Sequence, residues 1–494
     1  MPDFDVIVVG GGNAALCAAL AARERGAKVV VLERAPEEES GGNSRFTAGA
    51  IRFVFNGVDD VRQIIPELTD EEVANADFGT YTSDDYFDDM FRVTKFRTDP
   101  TLVEILVTRS FETLKWMRGK GVRFQPSYGR QAFKIDGRFQ FWGGLCVEAW
   151  GGGPGLVETE TEIAKKAGID IRYNCRATEL LYDGDKVHGV KVRHAGKRYE
   201  IEGRAVVLAA GGFEADPEMR TRYLGPGWEL AKVRGTRFNT GDGIKMALAI
   251  GAAPYGNWSG CHAVGWDHNA PEFGDLTVGD NFQKHSYPLG IMVNAHGRRF
   301  VDEGADFRNY TYAKYGRVIL EQPDNFAWQV FDRKVAHLLR DEYRIRRVTK
   351  VQADSIEELA EKLEGVDAEA FVDEVAAYNA AVMTDVPFNP NVKDGRGTRG
   401  LTVPKSNWAN VLDTPPYEAY QVGCGITFTF GGLRINDGGQ VLDSDLLPMP
   451  GLYAAGELVG GLFYFNYPGG TGLMSGAVFG RLAGDSAAEA AVGN

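Results

Sequence analysis

The chain has 494 residues, of which 44% are hydrophobic and 25% charged, and its 68 acidic and 54 basic residues give a net charge of −14. This composition, with 28 Phe, 19 Tyr and 8 Trp, is typical of a folded globular protein and excludes a disordered chain. The acidic balance argues against a nucleic-acid partner, and the lack of an apolar run of roughly 20 residues argues against a membrane span.

The first predicted elements form a βαβ unit. Residues 5–9 are an apolar run typical of a strand that is buried on both faces. Residues 14–25 are strong helix formers, and residues 27–33 return to an apolar strand pattern. We therefore expect two parallel strands joined by a helix at the start of the chain.

The turn between the first strand and the helix carries a dinucleotide-binding pattern. Gly10, Gly12 and Ala15 match G-x-G-x-x-A, in which the glycines allow a tight turn and a close approach of the backbone to a pyrophosphate. Glu33 ends the second strand at the spacing expected of an acid that binds ribose hydroxyls. The unit predicts a dinucleotide on the N-terminus of the helix.

Two later regions differ in composition. Residues 169–212 alternate or run apolar in three segments, which predicts a meander of strands that returns to the first sheet. Residues 262–424 are richer in aromatic, His and charged residues, with helices predicted near 355–363 and 367–383, and they are interpreted as an inserted domain.

The glycine-rich pattern returns after the insertion and completes the first domain. Residues 443–456 predict a further strand, and residues 472–491 predict a C-terminal helix. The predicted fold class is α/β, with a discontinuous Rossmann-like domain (1–261 and 425–494) and an inserted α+β capping domain (262–424).

The cysteine pattern and the N-terminus bear on compartment. Cysteines occur at positions 17, 146, 175, 261 and 424, without the spacing of a disulfide framework, a metal site or covalent haem. They are expected to be buried thiols, and no metal ligand is predicted. The N-terminus shows no secretory signal pattern, so we expect a cytoplasmic protein.

Motifs spread over the whole chain resemble, in the same order, the flavoproteins of the fumarate reductase/succinate dehydrogenase family. Beyond the N-terminal pattern they are residues 41–50 (GGNSRFTAGA), 209–213 (AAGGF), 240–243 (TGDG), 297–303 (GRRFVDE), 451–457 (GLYAAGE) and 466–472 (NYPGGTG). Three segments are most similar to the tricarballylate dehydrogenase branch of that family, namely residues 290–294, 304–316 and 425–432.

The resemblance implies that the cofactor is FAD. Glu457 would bind the ribityl chain, and the N-terminus of the last helix would stabilise negative charge on the reduced flavin. Arg45 stands where covalently linked members carry a His, which implies non-covalent FAD. The residues expected to contact FAD are Gly10, Gly12, Asn13, Ala14, Ala15, Glu33, Arg34, Gly42, Asn43, Ser44, Thr47, Gly49, Ala177, Ala210, Gly211, Asp242, Gly456, Glu457, Gly472 and Leu473.

The resemblance also implies hydride transfer between a substrate carbon and the flavin N5, with a protein group that moves a proton at the neighbouring carbon. Arg308 matches the proton-carrying Arg of the family, and a role as a carboxylate anchor is the alternative. Tyr467 replaces the carboxylate-clamping Arg, and residues 427–429 replace a His-His-Thr motif, which disfavours succinate. The expected catalytic residues are Arg308 and Tyr467, and the expected substrate-binding residues are His262, His285, Tyr287, Tyr310, Phe428, Thr429 and Gly470.

Three functional hypotheses remain open on the sequence. The first is a desaturase of a carboxylic acid similar to tricarballylate, which passes electrons to a separate acceptor protein, a small acceptor or oxygen. The second is a desaturase of a cyclic ketone or oxo-carboxylic acid, because a Tyr at the flavin-facing position is similar to ketosteroid dehydrogenases. The third, a non-catalytic flavin subunit that relays electrons, is disfavoured by the aligned Arg308 and the neighbouring tyrosines.

Overall fold

The computed structural model describes residues 2–493. Its strands, in chain order, are β1 (Phe4–Val9), β2 (Val29–Leu32), β3 (Ala50–Ile51), β4 (Ala76–Asp77), β5 (Phe124–Pro126), β6 (Ala132–Ile135), β7 (Arg138–Phe141), β8 (Val147–Ala149), β9 (Asp170–Arg172), β10 (Cys175–Tyr182), β11 (Val187–His194), β12 (Lys197–Leu208), β13 (Lys232–Val233), β14 (Pro254–Asp267), β15 (Ile291–Val293), β16 (Ala327–Phe331), β17 (Lys350–Ala353), β18 (Tyr417–Leu433), β19 (Gln440–Leu442) and β20 (Pro448–Ala454). Its α-helices are α1 (Asn13–Glu24), α2 (Val58–Ile64), α3 (Asp70–Ala74), α4 (Ser83–Val93), α5 (Pro100–Lys120), α6 (Tyr128–Gln131), α7 (Gly152–Lys166), α8 (Pro217–Leu224), α9 (Asp242–Ala249), α10 (Tyr312–Leu320), α11 (Ile356–Lys362), α12 (Ala368–Ala381) and α13 (Thr471–Val492).

The largest sheet is built on the N-terminal βαβ unit. Its eight strands include the order β10-β11-β12-β1-β2-β9, with β20 beside β12 and β19 beside β20. β1 pairs in parallel with both neighbours, so Val6 lies opposite Val29 on one side and Ala205 on the other. β10, β11 and β12 form an antiparallel meander whose last strand joins the parallel part. The predicted βαβ unit and meander are confirmed, and with them the α/β fold class.

The C-terminal helix α13 lies directly against α1. A Cβ on Gly480 would overlap the carbonyl oxygen of Ala14, and one on Gly484 would overlap that of Ala18. Because both positions advance by four residues together, the two helices run parallel. Asn13 at the start of α1 donates to the carbonyl oxygen of Leu473 at 2.8 Å. The two helix N-termini therefore lie side by side at one end of the sheet.

A second sheet is built from strands β13 to β18 and covers most of the predicted inserted domain. It has six strands, with the order β13-β18-β16-β15 and with β14 and β17 also paired to β18. Helices α11 and α12, which match the predicted helices, pack on it around Trp328, Phe371 and Tyr378. The predicted boundaries at 261/262 and 424/425 fall inside β14 and β18, which pair antiparallel. The chain therefore crosses between the two regions along paired strands rather than through loops.

The segment between β3 and β8 adds a further wall beside the sheets. It contains helices α2 to α6 and two three-stranded sheets, β3-β8-β5 and β4-β7-β6. The five cysteines are buried and free of disulfide bonds, as predicted. Within residues 2–493 no helix combines the length and the apolar character that a bilayer crossing requires.

Candidate active site

Two adjacent cavities extend from the βαβ unit to the inserted region. The first, which we call the nucleotide cavity, has a volume of about 820 Å³ and lies over the turn between β1 and α1. The second, the main cavity, has a volume of about 1,070 Å³ and lies between the start of α13 and the paired strands β14 and β18. The residues that line both cavities are Asn13, Ala14, Asn43, Ser44, Gly456 and Glu457.

The β1–α1 turn presents backbone to the nucleotide cavity. Gly10 has a φ of +115°, and a Cβ at this position would overlap the carbonyl oxygen of Ala209. Gly12 is the N-cap residue of α1 and lines the cavity, and its Cβ would lie 3.3 Å from Ser44 Oγ. The free N–H groups and the dipole of α1 favour an anion at this point.

Glu33 places a carboxyl group at the end of β2. It is only 6% exposed and lines the nucleotide cavity, and its Oε1 accepts a hydrogen bond from the Ala35 backbone N–H at 2.7 Å. Burial raises the pKa of Glu33, and this backbone hydrogen bond opposes the rise. The remaining lone pairs of the carboxyl group can accept hydrogen bonds from ribose hydroxyls.

Asp242 forms ion pairs with Arg34, which follows β2, and with Arg176 on β10. It lies 3.0 Å from Arg34 Nη1 and 2.8 Å from Arg176 Nε. All three residues line the cavity. Arg34 and Asp242 were predicted cofactor contacts. Arg176 was not predicted, because its place beside the cavity depends on how β10 pairs within the sheet.

The structure brings most of the predicted cofactor-binding residues to one of the two cavities. Those that line a cavity are Gly10, Gly12, Asn13, Ala14, Glu33, Arg34, Gly42, Asn43, Ser44, Thr47, Ala177, Ala210, Gly211, Asp242, Gly456, Glu457, Gly472 and Leu473. Ala15 is instead fully buried within α1, and a Cβ on Gly49 would lie 2.7 Å from the backbone of Gly152. These two positions permit close packing behind the cavity wall.

Glu457 lines both cavities, and the buried carboxyl group of Glu214 lies behind it. Glu457 accepts a hydrogen bond from the Thr429 backbone N–H at 2.8 Å, and Glu214 accepts from the side-chain amides of Asn43 and Asn239 at 2.7 and 2.6 Å. Burial raises the pKa of both carboxyls, and the charge of Glu457 raises that of Glu214 further. Thr429 was predicted to bind the substrate, but it supports Glu457 from behind and does not line the main cavity.

The main cavity gathers His262, His285 and Arg308 from three separate segments. Arg308 Nη1 lies 3.3 Å from His285 Nδ1, and its Nη2 donates to the carbonyl oxygen of Arg130. Among residues 2–493, no hydrogen-bond partner exists for Arg308 Nε, His285 Nε2 or either ring nitrogen of His262, although all four atoms are buried. Unpaired buried polar atoms around one cavity indicate a site that a polar ligand completes.

The electrostatic environment keeps both histidines neutral. Burial lowers the pKa of His262 well below its ordinary value, and Arg234 lowers it further. Burial lowers the pKa of His285 in the same way, and Arg308 adds to the effect. Both imidazoles are therefore uncharged at pH 7 and can act as hydrogen-bond donors or acceptors.

Aromatic side chains form the wall beside the histidines. The hydroxyl groups of Tyr312 and Tyr467 are hydrogen-bonded to each other. The ring of His262 lies 4.7 Å from that of Tyr467 and 5.2 Å from that of Phe428. Burial raises the pKa of Tyr467 well above its ordinary value, and Tyr312 raises it further, so Tyr467 is a proton donor rather than a base at neutral pH. Tyr312 was not predicted, although it lies within the motif at 304–316.

A cluster of charged residues in the main cavity was also not predicted. Asp280 lies 2.6 Å from Arg234 and 3.5 Å from Arg130, and it accepts a hydrogen bond from Gln283 at 2.7 Å. With Arg308, three guanidinium groups line this cavity. They exceed the negative charge of Asp280, so this side of the cavity favours an anion.

Two predicted substrate-binding tyrosines lie outside the main cavity. The hydroxyl of Tyr287 is hydrogen-bonded to Thr311 Oγ1 at 2.6 Å, and that of Tyr310 donates to the carbonyl oxygen of Gly143 at 3.0 Å. Neither residue lines the cavity, and their contacts instead fix the segment that follows Arg308. Gly470, in contrast, does line it.

The combined space fits an extended dinucleotide cofactor such as FAD. The nucleotide cavity offers the N-terminus of α1 for a pyrophosphate and Glu33 for a ribose. The main cavity offers the N-terminus of α13, where Gly470 has a φ of +82° and a Cβ would lie 2.7 Å from Leu145. Arg45 donates to the carbonyl oxygens of Glu38 and Ser40 at 2.9 and 3.3 Å and lines neither cavity.

Comparisons with known proteins agree with this geometry. A family model described as an FAD binding domain matches residues 5–473. A probable fumarate reductase of Shewanella frigidimarina is 31% identical over 500 residues, which cover 99% of this chain and 75% of that protein. A 3-oxosteroid 1-dehydrogenase of Mycobacterium tuberculosis is 29% identical over 65% of this chain and 60% of its own length. The structure of the open conformation of a flavocytochrome c3 fumarate reductase is similar with a TM-score of 0.73 and 28% identity, over 100% of this chain and 79% of that chain.

Proposed function

The chain belongs to the FAD binding domain family, and from that premise we propose that it desaturates a carboxylic acid larger than succinate, beside a carboxylate that Arg308 binds. Like its relatives, the chain is an FAD-dependent oxidoreductase that acts on CH–CH or C=C bonds. The proposal adds that the substrate carries a carboxylate, that it is larger than succinate, and that it is similar to tricarballylate.

The observation that carries the proposal is the state of Arg308. No carboxylate in residues 2–493 forms an ion pair with it, and its buried Nε has no hydrogen-bond partner. Glu342 acts on the Arg308 guanidinium only through its charge and forms no ion pair with it, so an anion that pairs directly with this half-buried group is favoured. A substrate carboxylate supplies that anion, and neutral His285 beside Arg308 can donate a further hydrogen bond.

The walls of the cavity favour a substrate larger than succinate. Phe428 and Tyr467 occupy the positions where the family resemblance places a His and a clamping Arg for a compact dianion. Asp280 pairs with both Arg130 and Arg234 and neutralises only one of their two positive charges. The remaining charge can bind a second carboxylate of the substrate, more distant from Arg308. A polycarboxylate similar to tricarballylate satisfies both conditions.

The side chains of the chain supply binding, orientation and proton transfer. When bound, FAD supplies the two-electron chemistry by accepting or releasing a hydride. Arg308 orients the carboxylate, and we propose that it also moves a proton at the carbon beside it. Burial lowers the pKa of its guanidinium, the charge of Glu342 opposes this, and Arg130 adds to it. Tyr467 also lines the main cavity and can donate a hydrogen bond to the substrate. We also propose a separate electron acceptor.

A second candidate, a desaturase of a cyclic ketone or oxo-carboxylic acid, is favoured by one specific observation. The hydrogen-bonded hydroxyls of Tyr312 and Tyr467 could polarise a ketone oxygen. The raised pKa of Tyr467 weighs against it as the base that removes an α-proton. The unpaired Arg308 has no role with an uncharged ketone, so the carboxylic acid remains the first candidate.

Anaerobic titration of the FAD-loaded protein distinguishes these candidates. The oxidised protein is mixed with tricarballylate, succinate, a cyclic oxo-carboxylic acid or an uncharged 3-ketosteroid, and the flavin absorbance band is followed. Bleaching by tricarballylate or a similar polycarboxylate, with slow reaction of succinate, supports the proposal. Rapid bleaching by succinate, or bleaching by the uncharged ketone alone, contradicts it.

A further inference from the structure

Arg52 is a fully buried arginine that follows β3 and holds the turn from which α13 starts. Its Nε donates to the carbonyl oxygen of Gly469 at 2.8 Å, and its backbone N–H donates to that of Gly470 at 3.1 Å. Its Nη1 donates to the carbonyl oxygen of Gly143 at 2.9 Å. Gly469 and Gly470 line the main cavity, whereas Arg52 does not. Arg52 therefore supports the cavity wall from the side that faces the protein interior.

The turn that Arg52 holds presents backbone N–H groups at the start of α13. Gly470 is the N-cap residue of this helix. Among residues 2–493, no group accepts a hydrogen bond from the N–H of Gly470, Gly472 or Leu473, and all three residues line the main cavity. Free N–H groups and the positive end of a helix dipole favour negative charge. Arg52 adds a full positive charge directly behind this turn.

The counter-charge of Arg52 is shared with other groups. Asp89 Oδ2 lies 3.8 Å from Arg52 Nη1. The Asp89 carboxylate also accepts hydrogen bonds from Tyr81 at 2.7 Å and from Tyr310, and it pairs with Arg92 at 2.9 Å. Burial opposes the charge of Arg52, but Tyr81, Tyr310 and Asp89 outweigh burial and raise its pKa. Arg52 is therefore cationic at neutral pH, and its charge is only partly compensated.

We propose that Arg52 is a positioning residue for the cofactor, which fixes the first turn of α13 and whose charge makes bound FAD easier to reduce. A flavin that takes up a hydride gains two electrons and one proton, and therefore one net negative charge. A cation held in the low-dielectric interior beside the cofactor site stabilises that charge. This role concerns the cofactor alone and does not depend on which acid is the substrate.

The midpoint potential of the bound flavin tests this role. Anaerobic reductive titration of the FAD-loaded protein against a reference dye measures it without any substrate. Arg52→Met removes the charge and keeps a side chain of similar length. We expect the equilibrium constant for reduction to fall at least about tenfold, which lowers the two-electron potential by about 30 mV. Arg298→Met is the matched control, because Arg298 is half exposed and pairs with Glu374, and it should change this constant by less than about twofold.

Two further variants separate the charge of Arg52 from its hydrogen bonds. Asp89→Asn removes the shared counter-charge but keeps an oxygen that can accept from Tyr81 and Tyr310, so we expect reduction to become about threefold more favourable or better. Arg52→Lys keeps the charge without the planar fork, so its constant should stay within about threefold of the wild-type value even where FAD binds more weakly.

A purely structural role of Arg52 predicts a different result. FAD would bind more weakly to Arg52→Met, but the potential of the FAD that remains bound would not move, and this outcome would overturn the proposal. A potential in Arg52→Lys as low as in Arg52→Met would also overturn it, because the charge would then have no effect of its own. If neither Arg52 variant folds with FAD, Asp89→Asn decides, and an unchanged or lowered potential there contradicts the proposal.

Discussion

Arg308 makes contacts in two directions that a lysine cannot reproduce. It contacts His285 Nδ1 at 3.3 Å and the carbonyl oxygen of Arg130, and its buried Nε has no hydrogen-bond partner. Because a lysine is a point charge without this planar fork, we expect Arg308→Lys to slow flavin reduction by roughly 10²–10⁴-fold. Stopped-flow absorbance with the active acid measures the rate, and the 280-to-450 nm absorbance ratio measures FAD content, which should not change.

Arg298→Lys is the matched control for this substitution. Arg298 is half exposed and pairs with Glu374 far from the cavities, so its replacement should leave the rate within about twofold. A loss below roughly tenfold in Arg308→Lys would reduce Arg308 to a positioning role, because acid–base groups usually contribute more.

Tyr467 competes with Arg308 for the proton-transfer role. Tyr467→Phe removes only the phenolic oxygen and breaks the hydrogen bond to Tyr312. Since the raised pKa keeps Tyr467 protonated, we expect it to lose about tenfold or less in kcat, well short of Arg308→Lys. Steady-state rates of Tyr467→Phe and of the matched Tyr312→Phe give the comparison. A collapse of kcat in Tyr467→Phe, with Arg308→Lys nearly unaffected, would transfer the proton to Tyr467 and favour the ketone hypothesis.

At the scale of elements, we expect the start of α1 to bind the cofactor pyrophosphate. Gly12 lines the nucleotide cavity, and a Cβ there would already lie 3.3 Å from both Ser44 Oγ and the carbonyl oxygen of Gly41. The branched side chain of Gly12→Val fills the space where the backbone meets a pyrophosphate, so we expect purified apo protein. Flavin absorbance after desalting measures the loss.

Gly119→Val provides the control for a glycine-to-valine change within a helix. Gly119 is exposed on α5 and a Cβ there meets nothing within 4 Å. The substitution changes the stability of the protein only by the small difference in helix propensity between Gly and Val, so the variant should retain FAD. Full FAD occupancy in Gly12→Val would show that the pyrophosphate binds elsewhere.

The parallel packing of α1 and α13 explains why two glycine-rich motifs at opposite ends of the chain act together. Gly480 and Gly484 let α13 lie against the backbone of α1, which sets both helix N-termini at the same end of the sheet. Each N-terminus brings free N–H groups and a positive dipole end. The two cavities together form an elongated space, and two separate points along it favour an anion.

At the scale of the whole molecule, the chain is expected to hold FAD without a covalent bond. Arg45 occupies the position of the linking His in covalent members of the family and points to the carbonyl oxygens of Glu38 and Ser40 rather than into a cavity. Acid precipitation should release one FAD per chain into the supernatant, measured by its fluorescence. Yellow colour and ultraviolet fluorescence that remain with the denatured pellet would contradict this.

The sequence by itself determined the features that depend on near neighbours. Gly10, Gly12 and Glu33 follow a spacing that one βαβ unit imposes, and the helices near 355–363 and 367–383 follow local periodicity, so each could be located without a tertiary structure. The ordered motifs also predicted which segments meet around the two cavities, because a shared fold fixes their order.

Only the tertiary structure decided which side chains line the main cavity. Asp280 meets Arg130 and Arg234 across more than 40 residues of chain, and no local pattern encodes that meeting. In the segment after Arg308, a 3₁₀ turn followed by the start of α10 directs Tyr312 into the cavity and Tyr310 away from it. A motif gives the position of a segment, whereas the face that each residue presents depends on the exact backbone turn and on the strands that pack against it.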